Sequence, residues 1–166
     1  MAYAAGQLPE AFGLVVATHL SLCDDCRAQV DTFDAVGGAI LEAAGDGALG
    51  QDALGKDALD RALARIKELP QAGQPEPVTT AGIFPAPLAG YVGGDLSAVR
   101  WRRVGGGVRQ AILPTGKGAT ARLLHIPAGT AIPDHGHRGM ELTLVLQGAF
   151  ADQGESFGPG DVEISD

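Results

Sequence analysis

A chain of 166 residues, 45% hydrophobic, is long enough for one ordinary domain or two small ones and apolar enough to form cores. Its formal net charge of −8 and pI near 4.8 leave no electrostatic footprint for a phosphate backbone, so direct nucleic-acid binding is disfavoured while a basic protein partner is not. No window approaches about 18 consecutive apolar residues and the start MAYAAGQLPEAFG has no basic segment before an apolar one, so neither a membrane span nor a secretory signal is expected and a cytoplasmic location follows.

The N-terminal part reads as helical. Phe12, Val15, Val16 and Leu20, then Val30, Phe33, Val36 and Ile40, recur at three- and four-residue steps between Leu8 and about Gly45, which predicts a helical hairpin. Pro9 suits a first turn, where its missing N–H needs no partner. The junction is SLCDDC, with Ser21 or Asp24 as the expected N-cap of the second helix. A third helix is expected from roughly Asp52 to Leu69, with Leu54, Leu59, Leu63, Ile66 and Leu69 on one stripe. Residues 1–69 hold eleven Asp/Glu and five Lys/Arg, so any charge that attracts a partner is concentrated here.

The same region carries the only two cysteines, too few and too close together for the disulfide framework of a secreted domain. His19, Cys23 and Cys26 form an HxxxCxxC pattern. His19 and Cys23, four residues apart, share a helix face, and a CxxC turn can hold two thiolates on one metal. Three soft or borderline donors with tetrahedral reach point to structural Zn²⁺, with a fourth ligand from elsewhere. A thioredoxin-like redox pair is the alternative, but the βαβ surroundings expected of one are missing.

Residues 70–90 hold five of the ten prolines, few charges and no apolar period, the composition of a semi-extended linker. Beyond it come short Val-, Ile- and Leu-rich segments punctuated by Gly and Pro, which predict an all-β sandwich or barrel. Trp101 and the GGG at 105–107 read as barrel packing and a turn. His125, alone on a strand, reads as a structural residue, with recruitment to a metal as the alternative.

The C-terminal cluster is GTAIPDHGHRGMELTLVLQG, Gly129 to Gly148. His135 and His137 alternate onto one face of an extended segment, and Glu141 joins them if the chain between them turns. Two imidazoles and a carboxylate provide three ligands of a Zn²⁺ site, or the facial triad that suits Fe²⁺, with Mn²⁺ and Ni²⁺ also open. In the strand that follows, Leu142, Leu144 and Leu146 alternate with Thr143, Val145 and Gln147, one face for a core and one for a cavity, which places the metal inside a barrel.

The spacing Gly129, His135, His137, Glu141, Gly148 matches the first signature motif of the cupin superfamily, and FGPGD, Phe157 to Asp161, resembles the start of the second. Joined through the proline-rich segment to the HxxxCxxC hairpin, the whole chain resembles the ChrR-type zinc-binding anti-sigma factors, as in AFGLVVATHLSLCDDCRA, VRWRRVGGGVRQAILPTG and PDHGHRGMELTLVLQGAF. The resemblance implies an α+β multi-domain chain: a helical zinc-binding anti-sigma domain at 1–69, a linker at 70–88 and a cupin-like antiparallel β-barrel at 89–166, incomplete at its C-terminus. It implies that the helices clasp an extracytoplasmic-function sigma factor and block its surfaces for RNA polymerase. It further implies that the cupin-like domain answers singlet oxygen or related oxidants by releasing that factor. One zinc per domain follows from it, with His19, Cys23 and Cys26 as ligands of the first and His135, His137 and Glu141 of the second. The family pattern adds one histidine at each end of the chain. Neither is present between Met1 and Asp166, so the sequence is expected to be a fragment. On this reading there is no turnover and there are no catalytic residues. The competing reading is a cupin metalloenzyme, a dioxygenase or isomerase at the 2-His-1-Glu set, for which the sequence offers no separate acid/base pair or substrate clamp.

Overall fold

The computed structural model describes residues 1–44, 55, 57–69, 82–131, 139–152 and 154–165. The fold is α+β, with helices first and antiparallel strands after them. Helix α1 is Glu10–Leu20, α2 Asp24–Ala44, α3 Ala58–Glu68 and α4 Ala86–Val92. A short 3₁₀ turn at Leu96–Ala98 leads to β1 Arg102–Gly105, β2 Val108–Ile112 and β3 Arg122–His125. Strands β4 Glu141–Leu144, β5 Phe150–Asp152, β6 Glu155–Phe157 and β7 Val162–Ser165 follow. Among the described residues the C-terminal part consists of three antiparallel sheets, β1-β2-β3, β4-β7 and β5-β6.

By compactness the chain falls into two units. One is Met1–Val30 with Val78–Asp166, the other Asp31–Pro77. The core of the first lies between α1, α4 and the three-stranded sheet. Ala11 comes from α1, Phe84, Leu88 and Ala89 from the α4 region, and Ala111, Leu113, Ala121 and Leu123 from β2, β3 and the residues flanking them. Four of these eight are alanines, so elements approach closely and the large side chains Phe84 and Leu88 fill the remaining space. Ala111 faces Leu123 across the β2–β3 ladder, and the Leu113 N–H donates to the Ala121 carbonyl at 3.0 Å, carrying the pairing past the strand ends.

Local sequence explains the turns. Gly105 pairs with Val108, leaving Gly106 and Gly107 as a two-residue hairpin turn with φ of +55° and +79°, the left-handed pair that only glycine adopts without strain. The GGG segment is therefore the turn expected of it. Trp101 packs against the core and donates its indole N–H to the Leu96 carbonyl at 3.4 Å.

Helix α1 is moored to this unit along its length. In its first turn the Glu10 carboxylate accepts from the Gly116 N–H and lies 3.0 Å from the Tyr91 hydroxyl, which is also 3.0 Å from the Pro114 carbonyl. Burial, then the hydrogen bond to Glu10 and its charge, push the Tyr91 phenol above its ordinary value. Midway, Ala11 enters the core and Leu14 packs on it. Thr18, 2% exposed, satisfies its hydroxyl on the Leu14 carbonyl at 2.7 Å.

The entry to α4 is fixed by Asp95, whose carboxylate accepts from the Ile83 N–H at 2.8 Å and the Phe84 N–H at 3.2 Å. Burial alone would raise this carboxyl, but the bonds from the Leu96, Ile83 and Phe84 N–H groups outweigh it and hold the group below its ordinary value of 3.8. A carboxyl with a lower pKa folded than unfolded stabilises the fold above the unfolded value and loses that contribution as pH falls through the folded one. Asp95→Asn is therefore expected to be less stable than the parent at neutral pH, with the gap closing in strong acid, as read from urea unfolding across pH. Phe84→Ala leaves a cavity where α1 and α4 meet the sheet and is expected to cost about 3–5 kcal/mol by the same measurement.

Candidate metal centre

The geometry begins with how α1 ends. Its last turn closes with the Ser21 N–H on the Ala17 carbonyl at 3.2 Å and the Ser21 hydroxyl on the Thr18 carbonyl at 2.6 Å, so Ser21 is the C-cap of α1 rather than the N-cap of α2. Asp24 is already inside α2. Cys23 occupies the capping position, its carbonyl accepting from the Arg27 N–H at 3.1 Å. A serine so close behind α1 satisfies that helix's orphan carbonyls first, and acidic Asp24 and Asp25 complement the positive end of α2.

The expected shared helix face of His19 and Cys23 is reached differently. Helix α1 stops at Leu20, yet the His19 carbonyl still accepts from the N–H groups of Leu22 at 2.8 Å and Cys23 at 3.0 Å. The chain thus wraps one further turn and returns Cys23 beside His19. Arg27 closes the corner from α2, donating to the Leu20 carbonyl at 2.6 Å and pairing with Asp24. The result is that donor atoms of His19, Cys23 and Cys26 lie within 4.8 Å of one another, each residue half-buried.

Two electronic details follow. The Cys26 thiol is pushed above its ordinary value, first by its hydrogen bond with Cys23, then by burial and by the negative charges of Cys23 and Asp25. And His19 Nδ1 lies 2.8 Å from the Gly160 carbonyl oxygen. A carbonyl only accepts, so Nδ1 carries the proton and the lone pair is on Nε2, the nitrogen left for a metal. A divalent ion of borderline softness, Zn²⁺ above all, fits one imidazole nitrogen and two thiolates at this spacing. An open cleft of about 370 Å³ lined by His19, Cys23, Asp24, Asp25, Gly160 and Asp161 gives an ion access.

The C-terminal set is placed only in part. His135 and His137 lie outside the described residues. Glu141 opens β4, opposite Ser165 of β7. Beyond Leu144 the chain leaves the expected alternation: Val145, from the face assigned to a cavity, is buried at 7% exposure, while Leu146 packs on the core. The reason is a continuation of the β4–β7 ladder around a turn, in which the Val145 N–H donates to the Asp161 carbonyl at 3.0 Å and the Gly160 N–H to the Val145 carbonyl at 2.8 Å. His125 lies 3.3 Å from an Arg109 guanidinium nitrogen and meets Trp101 edge-on at 6.1 Å.

Gly160 was absent from the residues singled out by sequence. FGPGD marked it as part of a cupin motif, but no periodicity connects residue 160 to residue 19.

Comparisons with known proteins agree with this architecture. Residues 90–166 match the family model of the ChrR cupin-like domain. The chain is 58% identical to the anti-sigma-E factor ChrR of Cereibacter sphaeroides over 168 residues, covering 99% of this chain and 75% of that protein. It also matches a chain of the crystal structure of Rhodobacter sphaeroides SigE in complex with the anti-sigma ChrR, with a TM-score of 0.79 and 56% identity, over 99% of this chain and 81% of that one.

Metal at His19, Cys23 and Cys26 must displace the thiol protons, and the raised Cys26 thiol is protonated at neutral pH. Affinity for Co²⁺, followed by the thiolate-to-cobalt charge-transfer absorption, is therefore expected to rise between about pH 6.5 and pH 8 with release of roughly two protons per ion. A pH-independent affinity would exclude the two thiols as ligands.

Proposed function

The chain belongs to the ChrR family of anti-sigma factors, and from that premise we propose that it sequesters a sigma-E-type extracytoplasmic-function sigma factor by binding, without turnover, and releases it under oxidative stress of the singlet-oxygen type. The observation that carries this reading is the surface of the unit Asp31–Pro77. On α2, Phe33, Val36 and Ile40 are 36%, 52% and 65% exposed; on α3, Leu59, Leu63 and Ile66 are 68%, 47% and 62% exposed. Each set recurs at three- and four-residue steps, so each helix presents an apolar stripe to solvent. Large aliphatic and aromatic side chains aligned this way mark a protein-binding face.

The charge of the helical part adds to this. Eleven acidic against five basic residues in 1–69 favour a basic partner surface and repel nucleic acid, so inhibition acts on the sigma factor rather than on its promoter. Helix α2 also carries Gly37 and Gly38, each costing about 1 kcal/mol of helix stability relative to alanine. Docking against a partner offsets that cost.

In this reading residues 1–69 are the sigma-binding part, 70–88 the linker and 89–166 the sensing part. Zn²⁺ at His19, Cys23 and Cys26 holds the α1–α2 corner, and a second ion is held by His135, His137 and Glu141. When bound, zinc supplies a fixed tetrahedral anchor rather than a reacting centre. No described helix is long and apolar enough to cross a membrane, and a cytoplasmic site of action matches a partner that works with RNA polymerase.

The test is capture of the sigma factor encoded beside this gene by the zinc-loaded chain. Ile40→Asp and Leu63→Asp are each expected to weaken the complex at least 30-fold, about 2 kcal/mol, while the cobalt–thiolate absorption of the metal group is retained. Failure of the zinc-loaded parent to form a complex would sink the proposal.

A further inference from the structure

We propose that the turn Gly158–Asp161 is a positioning element for His19, and that through it the N-terminal metal group is tied to strand β4, whose first residue is Glu141. This rests on the reading of His19, Cys23 and Cys26 as a metal group.

The argument starts at the imidazole. A histidine that ligates a metal through one nitrogen needs the other one fixed, because the wrong tautomer or a rotated ring turns the lone pair away. Here the fixing group is the Gly160 carbonyl, 2.8 Å from Nδ1 and 141 residues away in sequence. Its direction is set by the turn. The Asp161 carboxylate accepts from the Gly158 N–H at 2.7 Å, and the Asp161 N–H donates to the Gly158 carbonyl at 3.0 Å, so the turn is closed twice. Gly160 sits at φ +93°, a backbone conformation open to glycine and strained for other residues.

The same turn is also the end of the β4–β7 ladder. Glu141 pairs with Ser165, Leu142 with Ile164, Thr143 with Glu163 and Leu144 with Val162. Val145 then exchanges hydrogen bonds with Gly160 and Asp161. Glu141 and Val145 are separated by four strand steps, about 13 Å. Gly160 therefore belongs to both ends of the path: its N–H is held by Val145, the residue that follows β4, and its carbonyl holds His19. Helix α1 lies directly against β4, which leaves little room for the two to move independently. A change in the register or twist of β4 moves the acceptor that orients His19, and linkage requires metal at His19 to stiffen the turn in return.

Three measurements on the full chain test this. The first reads the His19 tautomer in the metal-free parent by nitrogen-15 NMR at about pH 8, above the ordinary imidazole range, with the resonance assigned by its loss in His19→Gln. The Nδ1–H form is expected; an Nε2–H form would overturn the proposal. The second compares Co²⁺ affinity, read from the thiolate absorption, in the parent, Asp161→Ala and Asp161→Asn. Loss of the carboxylate acceptor is expected to weaken binding about 10- to 100-fold, and the asparagine, which keeps an acceptor for the Gly158 N–H, is expected to restore most of it. Equal affinities in all three would overturn the proposal. The third follows hydrogen exchange of the Val145 and Gly160 amides. Zn²⁺ is expected to slow both in the parent and neither in His19→Gln, and equal slowing in that variant would count against the path. A parent without cobalt–thiolate absorption would overturn the metal reading beneath it, whereas the tautomer decides the positioning role in either case.

Discussion

The imidazole of His19 has two nitrogens and two obligations, and most of the arrangement in the larger unit follows from keeping both. One nitrogen is spent on a main-chain carbonyl of the β-rich part, which leaves the lone pair of the other for a ligand shared with the two cysteines. For that bond to persist, α1 must stay against β4 and α4. The structure supplies small side chains at the contact, a buried threonine that bonds back to its own helix, and a glutamate clasping the loop after β2. Remove the packing and the histidine has no fixed second partner. Remove the histidine and the last turn of α1 loses its only described polar tie to the β4–β7 end.

This arrangement divides labour within the N-terminal segment. Helix α1 is built into a core, while the distal part of α2 and all of α3 expose their apolar stripes. The corner between α1 and α2 brings His19, Cys23 and Cys26 together. A metal bound there would tie α1, which is built into the core, to the start of α2.

Much of this was legible in the sequence, and what was not has physical causes. The helical hairpin announced itself because amphipathic spacing is local. HxxxCxxC and the β-rich half were readable for the same reason, and the three glycines at 105–107 left few options but a turn. Four things escaped. Ser21 went to the helix behind it rather than the one ahead, because capping at the C-terminal end depends on where the helix stops, which spacing does not tell. Residues 86–92, in and beside a proline-rich stretch, form a helix: Pro85 caps it and Pro87 lies in its first turn, positions where a missing N–H costs nothing. And Val145 was buried where alternation put Leu144 and Leu146, because the strand ends at Leu144 and the chain bends to follow the turn. The bond from residue 19 to residue 160 belongs to the same class, long in sequence and short in space.

Because the partner of His19 is a peptide oxygen, no single substitution can delete it. Every amino acid at position 160 presents the same atom; only its direction can change. Such a link is insulated from mutation in its chemistry and exposed to it in its geometry. Over evolutionary time the contact would be tuned by the shape of a four-residue turn, leaving the identity of the acceptor untouched.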